Sequence, residues 1–215
     1  MRILFGGGGS AADERPLHEL LNQWIGRDGK LLYWPIALRG TRTFESCHEW
    51  ITASLSPLGI TNITMWTDLT GHHESELGAF DGLYIGGGNT FSLLAELRES
   101  RFDRYLQAYA RGGKPVYGGS AGAVILGRDI RIVEHFDSNR VGLMDTTGLN
   151  LANGHVIWPH YEPGHDGLIY AFIEQYKSPV LAISERSGVV IEGNRVRSAG
   201  LEPALRFDEH RRVEV

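Results

Sequence analysis

The chain has 215 residues, of which 42% are apolar and 22% charged, and its net charge is −5. This composition is typical of a globular protein, and the length predicts one domain over residues 1–215 with a sizeable core. Basic residues form no run longer than Arg211-Arg212, which argues against a nucleic-acid partner. No 18 consecutive residues are apolar, which argues against a membrane-spanning helix, and the single cysteine excludes an intrachain disulfide.

The predicted elements alternate between strands and helices. In chain order they are a strand over 2–5, a helix over 14–25, a strand over 31–37, a helix over 42–55, strands over 61–66 and 82–85, a helical stretch over 90–111 with an interruption near Ser100, a strand over 115–117 and a helix that starts near Ala123. After residue 130 the pattern changes to short strands and turns, apart from a helix over 166–176. Because the first strand opens the sequence with no signal-peptide pattern, we expect a cytoplasmic protein.

Alternating strands and helices predict an α/β fold in which helices cover both faces of a mostly parallel sheet. Three glycine-rich turns follow predicted strands, at residues 6–9, 86–88 and 118–119. In such sheets ligands bind beyond the carboxyl ends of the strands, so we expect the three turns to line one edge and form a site there.

The most informative of these turns contains Gly118-Gly119-Ser120-Ala121-Gly122, a G-x-S-x-G pattern between a predicted strand and a predicted helix. A serine on so sharp a turn needs small neighbours, and the turn lifts Oγ out of the sheet. The first helical N–H groups then point at anything that bonds to Oγ, which suits a developing oxyanion. Ser120 is therefore a candidate nucleophile, although the pattern alone also fits a turn that binds a phosphate or nothing.

A serine nucleophile needs a base, and nine histidines are available. His160 is the strongest candidate because it follows an apolar strand-like run, and His155 and His165 are the alternatives. We expect His18 and His48, in predicted helices, to face solvent or to pack at an edge. The histidines do not form a strong zinc-binding spacing, so we expect no metal and no cofactor.

The base in turn needs an acid that orients it. Glu185 follows the apolar stretch Ala182-Ile183 and is a candidate. On spacing alone, however, a carboxylate at this position fits an ordinary hairpin turn equally well or better.

Four segments together resemble the serine peptidase family of aspartyl dipeptidase (peptidase E) and cyanophycinase. They are the glycine-Asn-Thr segment 85–94, the nucleophile segment 118–123, the Pro-His-aromatic segment 158–165 and the acid-bearing segment 183–188. Their order and spacing agree with the family over roughly residues 82–192, whereas the first third of the chain matches only in general pattern.

This resemblance implies a three-layer α/β/α sandwich related to class I glutamine amidotransferases, with serine in place of their cysteine. It also implies a Ser-His-Glu triad of Ser120, His160 and Glu185, and an oxyanion hole made by the backbone N–H groups of Gly88 and Ala121. The substrate would be a small peptide, cleaved through an acyl-enzyme without a cofactor. We expect a monomer or a homodimer.

The region after the nucleophile helix, residues 128–137, resembles the family only loosely. Aspartyl dipeptidases carry an acidic residue near the site in this stretch, and Asp129, Glu134 or Asp137 could take that role here. We expect Asp129 and Asp137, together with Asn89 and Thr90, to bind substrate. Whether the substrate must begin with aspartate stays open, because the sequence does not place the arginine or lysine that an aspartyl side chain would need.

Two other classes of function share parts of these patterns. An α/β-hydrolase esterase also uses G-x-S-x-G, but its triad runs Ser, acid, His, and here the only histidine after Glu185 is His210 near the end. A nucleotide-binding module could use the first glycine turn, 6–9, but no acid for the ribose hydroxyls follows the second strand.

Overall fold

The computed structural model describes residues 1–209 and 211–215 and contains two β-sheets with helices between and around them. The strands of this described part are β1 (Arg2–Gly6), β2 (Leu31–Trp34), β3 (Ile63–Met65), β4 (Gly82–Ile85), β5 (Pro115–Gly119), β6 (Val156–Trp158), β7 (Val180–Ala182), β8 (Gly188–Glu192), β9 (Arg195–Ser198), β10 (Leu205–Phe207) and β11 (Arg212–Glu214). The helices are α1 (Arg15–Ile25), α2 (Phe44–Leu55), α3 (Glu74–Leu77), α4 (Thr90–Glu99), α5 (Phe102–Arg111), α6 (Ala121–Leu126) and α7 (Asp166–Tyr176).

The larger sheet has seven strands in the spatial order β3-β2-β4-β5-β1-β8-β9. Its first five strands are parallel to one another, whereas β8 and β9 are antiparallel neighbours at the other side of β1. Strand β1 therefore lies between β5, which leads to Ser120, and β8. The glycine turn that follows β1 is consequently held in the middle of the sheet edge, next to the end of β5.

Side chains of the central strands alternate between the two faces of the sheet, and both faces are buried. Ile3 and Phe5 pack in one core cluster with residues of α4, α5 and α6, while Leu4 packs in a second cluster with residues of α1 and α2. All three side chains are fully buried. Helices thus cover both faces of a mostly parallel sheet, as the alternating sequence pattern predicts.

The smaller sheet has the order β11-β10-β7-β6 and comes from the last third of the chain. Strands β6 and β7 are parallel, with Val156 opposite Val180 and Trp158 opposite Ala182. Their carboxyl ends therefore lie side by side, and the Tyr161 N–H continues the pairing by donating to the Ile183 carbonyl at 3.0 Å. This arrangement brings the segments that carry His160 and Glu185 to the same place.

One element boundary differs from the sequence pattern, and another agrees with it. The predicted strand over 31–37 ends at Trp34, because Pro35 cannot donate a ladder hydrogen bond and a 3₁₀ turn, Ile36–Leu38, follows. The interruption predicted near Ser100 is confirmed: α4 ends at Glu99, and Arg101 takes a left-handed conformation with φ of 65° before α5. Within the described residues, no helix has the length and hydropathy needed to cross a membrane.

Candidate active site

Ser120 lies between β5 and α6 in a conformation that few L-residues adopt, with φ of 49° and ψ of −114°. Its N–H donates to the Gly6 carbonyl at 3.1 Å, which ties the turn to the end of β1. Gly122 must be small, because a Cβ there would overlap the Ile85 carbonyl oxygen. Holding a residue in such a region costs on the order of 1–3 kcal/mol, so the surrounding structure has to fix it.

A continuous chain of hydrogen bonds connects Ser120 with a histidine and a glutamate. The Ser120 Oγ lies 2.8 Å from Nε2 of His160, and Nδ1 of His160 lies 3.0 Å from Oε1 of Glu185. With the imidazole proton on Nδ1, Nε2 accepts from the serine hydroxyl and Nδ1–H donates to the carboxylate. His160 itself has a positive φ of 48°, and its N–H donates to the Gly7 carbonyl at 3.1 Å.

The two alternative histidines have other bonding partners. Nδ1 of His165 accepts from the indole N–H of Trp158 and from the N–H of Glu162, both at 3.2 Å. Nδ1 of His155 lies 2.9 Å from the Ala152 carbonyl oxygen. Neither ring lines the cavities around Ser120, whereas His160 lines both. His210, which the esterase alternative needs, lies outside the described residues.

The other carboxylates near the candidate site also have partners of their own. Asp166 accepts from the Tyr161 hydroxyl and from Arg212, both at 2.6 Å. Asp129 is paired with Arg131, two residues further along the chain, and does not line either cavity. Its carboxylate is therefore engaged in local structure rather than presented to the cavities at Ser120.

Two cavities meet at Ser120 and His160. The larger, about 730 Å³, lies between the glycine turns and α2, and its other lining side chains include Arg42, Trp50 and Glu14. The smaller, about 490 Å³, lies below the segment 133–138. Gly88 and Ala121 both line the smaller cavity beside Ser120, and as the first residue of α6, Ala121 has an N–H with no acceptor inside its own helix.

The predicted substrate-binding residues Asn89, Thr90 and Asp137 are all in the wall of this smaller cavity. Asn89 caps α4 by accepting from the Ser92 N–H at 2.9 Å, and its side-chain amide donates to the Ser138 carbonyl at 3.0 Å. The Thr90 N–H donates to Oδ2 of Asp137 at 2.8 Å. These bonds hold segment 133–138 against the start of α4. Among the described residues, only one oxygen of the Asp137 carboxylate accepts a hydrogen bond.

The three glycine turns converge on this site, as the sequence predicts. The first turn, residues 6–9, packs most closely: a Cβ on Gly8 would overlap Cε1 of His160 and lie 2.7 Å from its Nε2. A Cβ on Gly7 or Gly9 would overlap the Ser184 or Glu185 carbonyl oxygen, respectively. The turn therefore packs tightly against the polypeptide on its Cβ side, while Gly8 and Gly9 also line the larger cavity.

Sequence reasoning missed a buried polar cluster behind this first turn. Glu14 is 3% exposed and accepts from the Gly8 N–H at 3.0 Å, although the first turn of an amphipathic helix is normally exposed. His18, expected at solvent or at an edge, is fully buried, with Nε2 3.8 Å from Oε2 of Glu14 and 3.3 Å from the Tyr84 hydroxyl. The expectation for His18 was wrong because the face of α1 that carries His18 packs toward Tyr84 and Tyr117 of the sheet.

Burial determines how this cluster titrates. It raises the pKa of Glu14 to about 7, against the smaller opposing effects of the Tyr117 hydroxyl and the Gly8 and Gly9 N–H groups. Burial also lowers the pKa of His18 to about 4. Both groups are therefore predominantly neutral in the folded protein between these two values.

A strand-to-helix turn that presents a serine hydroxyl to a histidine, within an α/β sheet, is the arrangement of serine hydrolases. The model of peptidase family S51 matches residues 3–199, and the chain belongs to this family, so it is a serine-type peptidase. The resemblance drawn from its four segments is thereby confirmed. Membership of a peptidase family speaks against both the esterase and the nucleotide-binding alternatives.

Relatives and solved structures agree with this assignment. The chain is 29% identical to peptidase E of Streptomyces coelicolor over 193 residues, which are 83% of this chain and 74% of the relative. It is 29% identical to peptidase E of Shewanella denitrificans over 171 residues, 72% of this chain and 70% of the relative. The crystal structure of a putative peptidase E from Listeria monocytogenes superimposes with a TM-score of 0.75 at 24% identity, covering 94% of this chain and 98% of that one.

The buried carboxyl of Glu14 generates a prediction for stability. Because the folded pKa, about 7, lies above the ordinary value of 4.5, its stabilising contribution is complete below pH 4.5 and is lost as the pH rises through 7. Glu14→Gln removes this titration. As the pH rises from 5 to 8, the free energy of unfolding of the variant should increase by about 2–3 kcal/mol relative to that of the wild type. Urea unfolding of both proteins at the two pH values measures the gain, and equal changes in both proteins would contradict it.

Proposed function

We propose that this chain hydrolyses short peptides through a triad of Ser120, His160 and Glu185 and a covalent acyl-enzyme. The single observation that carries the proposal is the unbroken hydrogen-bond chain from the serine Oγ through both imidazole nitrogens to the glutamate. The proposal extends the established class, a serine-type peptidase, to named residues and to a class of substrate. It includes no metal and no cofactor.

In the proposed mechanism, His160 removes the proton of Ser120 as Oγ attacks the scissile carbonyl carbon. Glu185 keeps the imidazole in the tautomer with its proton on Nδ1 and stabilises the imidazolium that forms. The imidazolium then protonates the departing amine, which leaves the acyl group on Oγ. Water, deprotonated by the same imidazole, attacks the acyl-enzyme and releases the second product.

The tetrahedral intermediate carries a negative charge that must be stabilised next to Oγ. We assign this task to the backbone N–H groups of Gly88 and Ala121, which belong to two different turns and flank Ser120 in the wall of the smaller cavity. Donors fixed by the backbone need no reorganisation as the charge develops. The positive end of the α6 dipole acts in the same direction.

Graded losses of activity test the triad. Ser120→Ala and His160→Ala should each lower kcat by roughly 10⁴–10⁶-fold, because nucleophile and base act as a unit. Glu185→Gln should cost less, about 10²–10⁴-fold, because the nucleophile and base remain and only the orientation and charge of the imidazole are affected. Steady-state kinetics on the best dipeptide measures all three.

A control and a chemical label make the triad test decisive. Glu162→Gln is the control, since its carboxylate lies on the segment after His160 but outside the hydrogen-bond chain, and it should keep wild-type kcat. A phosphonate probe should label Ser120 in the wild type. Hydrolysis by Ser120→Ala at the wild-type rate would end the proposal, and a Glu185→Gln variant of full activity would remove the glutamate from it.

We further propose that the substrate is bound by its free amino terminus, so that the enzyme acts as a dipeptidase or aminopeptidase. Asp137 lines the smaller cavity with Ser120 and His160, and its second carboxylate oxygen can accept a hydrogen bond from an ammonium group. Segment 133–138 forms part of the wall of this cavity, so we expect it to limit extension of the substrate beyond its amine. Asp129, paired with Arg131, is left out of the proposal.

N-acetylation of the substrate tests the amine anchor. A partly desolvated charge pair is worth roughly 2–5 kcal/mol, so acetylation should lower kcat/KM by about 10²-fold or more. Asp137→Asn keeps the acceptor for the Thr90 N–H but removes the charge, and should lose most of this discrimination. The measurement is kcat/KM for one dipeptide, free and acetylated, with both proteins. Equal values for the two substrates with the wild type would exclude amine anchoring.

Preference for an N-terminal aspartate is the finer part of the proposal, and the names of the peptidase E relatives motivate it. Arg42 lines the larger cavity, and no ion pair engages it among the described residues. An arginine in this position suits a substrate carboxylate. Glu49 in the same wall disfavours binding of a second carboxylate, which fits a substrate with one acidic side chain.

Arginine substitutions test the aspartate preference. Arg42→Gln should lower the ratio of kcat/KM for Asp-Leu over Asn-Leu by about 10- to 100-fold, the value of a charged hydrogen bond. Arg39→Gln is the matched control, because Arg39 is close in sequence but bonded to Glu96 and outside both cavities. An unchanged ratio in Arg42→Gln, or an equal loss in both variants, would remove Arg42 from the binding site.

The remaining proposals concern the chain as a whole. We propose that residues 1–215 form one catalytic domain of the class I glutamine amidotransferase-like kind, acting in the cytoplasm as a monomer or a homodimer. The arrangement of a parallel sheet with the nucleophile on a strand-to-helix turn supports the relationship. Sedimentation of the purified protein and fractionation of the cells that make it test the assembly and the location.

A further inference from the structure

The glycine turn 6–9 touches all three residues of the proposed triad. The Gly6 and Gly7 carbonyls accept from the N–H groups of Ser120 and His160, both at 3.1 Å. The Gly8 α-carbon lies directly against the His160 ring, and the Gly9 α-carbon lies against the Glu185 carbonyl. A displacement of this turn would therefore move the imidazole relative to Ser120.

Glu14 supports this turn from behind. Oε1 of Glu14 accepts from the Gly8 N–H at 3.0 Å, and it lies so near Gly6 that a Cβ on Gly6 would overlap it. The carboxyl group is 3% exposed and lies in the wall of the larger cavity, behind the turn as seen from His160. Tyr117, a fully buried neighbour on β5, closes the other side.

We propose that Glu14 is a positioning residue for catalysis: its carboxyl oxygen holds Gly8 against the His160 imidazole and so sets the distance between Nε2 and the Ser120 hydroxyl. The inference rests on the triad of the proposed function. Glu14 is 3% exposed and, among the described residues, makes no hydrogen bond to Ser120 or His160, so we expect its effect to pass through Gly8. A shift of about 1 Å in such an arrangement is enough to cost about 10²-fold in rate.

The burial of Glu14 supports this role over a purely structural one. An apolar side chain of similar size would fill the space without the cost of burying a carboxyl group. The position instead holds an acceptor that can reach the Gly8 N–H across the turn, and His18 beside it is buried with Nδ1 unbonded among the described residues. The cluster is thus poorly arranged for stability but well arranged to fix one backbone N–H.

Three substitutions of Glu14 test separately the length of its side chain, its carboxyl group and its volume. Glu14→Asp keeps the carboxyl group but is one methylene too short for the Gly8 N–H, and should lower kcat at least about 10-fold. Glu14→Gln keeps the length and an acceptor oxygen, and should stay within about 3-fold of the wild type. Glu14→Leu removes the acceptor at similar volume and should lose about 10²-fold. In all three, KM should change less than about 3-fold, because only 3% of Glu14 is exposed in the cavity wall.

The matched control is His18→Leu, which disturbs the same buried cluster without touching the glycine turn and should keep wild-type kcat. Thermal unfolding shows which variants are folded, and the rate of phosphonate labelling of Ser120 should fall in parallel with kcat. Should Glu14→Leu fail to fold, the Asp and Gln variants still decide the matter. If Glu14→Asp keeps wild-type kcat, or if Glu14→Gln is as slow as Glu14→Asp, the positioning role is overturned.

Failure of the proposed function gives a different result. If the triad itself is misassigned, the wild type and Ser120→Ala hydrolyse the substrate equally and the probe does not label Ser120. If only the role of Glu14 is wrong, Ser120→Ala is inactive and labelling is specific, while the Glu14 variants keep the kcat of the wild type.

Discussion

The contact between the first glycine turn and the three site residues is the constraint on which the rest of the site depends. Ser120, His160 and Glu185 come from the ends of strands in two different sheets, and residues 6–9 touch all three. Strand β1 can supply this segment because it pairs with β5 in the middle of the larger sheet. Absence of side chains at four successive positions lets the backbone approach closely enough to accept hydrogen bonds from Ser120 and His160 and to pack against Glu185.

Positive φ angles at two of the site residues accompany the same constraint. Ser120 and His160 both adopt φ near 50°, a conformation that is costly for residues with a Cβ. Their N–H groups bond to the carbonyls of Gly6 and Gly7, so one rigid segment compensates for strain at both. The backbones of Ser120 and His160 are thereby fixed relative to each other, which limits the possible positions of Oγ and Nε2.

Much of the fold and of the site was predictable from the sequence, for identifiable reasons. Strong apolar periodicity located the helices α1, α4, α5 and α7, and the glycines located the strand ends that converge on Ser120. The smaller sheet was seen only as a series of short strands. Its pairing depends on contacts between residues as distant as Trp158 and Ala182, which no local pattern encodes.

Long-range contacts also explain which site residues could not be chosen in advance. Glu185 resembled a turn carboxylate, because only the pairing of β6 with β7 brings it to His160. Asp129 and Asp137 were equivalent by sequence, but one meets Arg131 two residues away and the other meets the start of α4. Arg42 could not be distinguished from the other arginines by sequence, because only the packing of α2 places it beside the larger cavity.

Local sequence patterns did not predict the burial of Glu14 and His18. Such patterns indicate what stabilises a fold, and a functional site can require something different. An amphipathic helix predicts polar residues at the surface, yet here two titratable groups enter the core, and among the described residues His18 Nδ1 has no hydrogen-bond partner. Such groups destabilise a fold, and a sequence that specified only stability would place apolar side chains there. Departures from the locally favoured pattern concentrate at functional sites, and this one lies directly behind the turn that supports the proposed triad. The unfavourable burial of Glu14 and His18 is therefore informative, because it indicates which part of the core supports the proposed site.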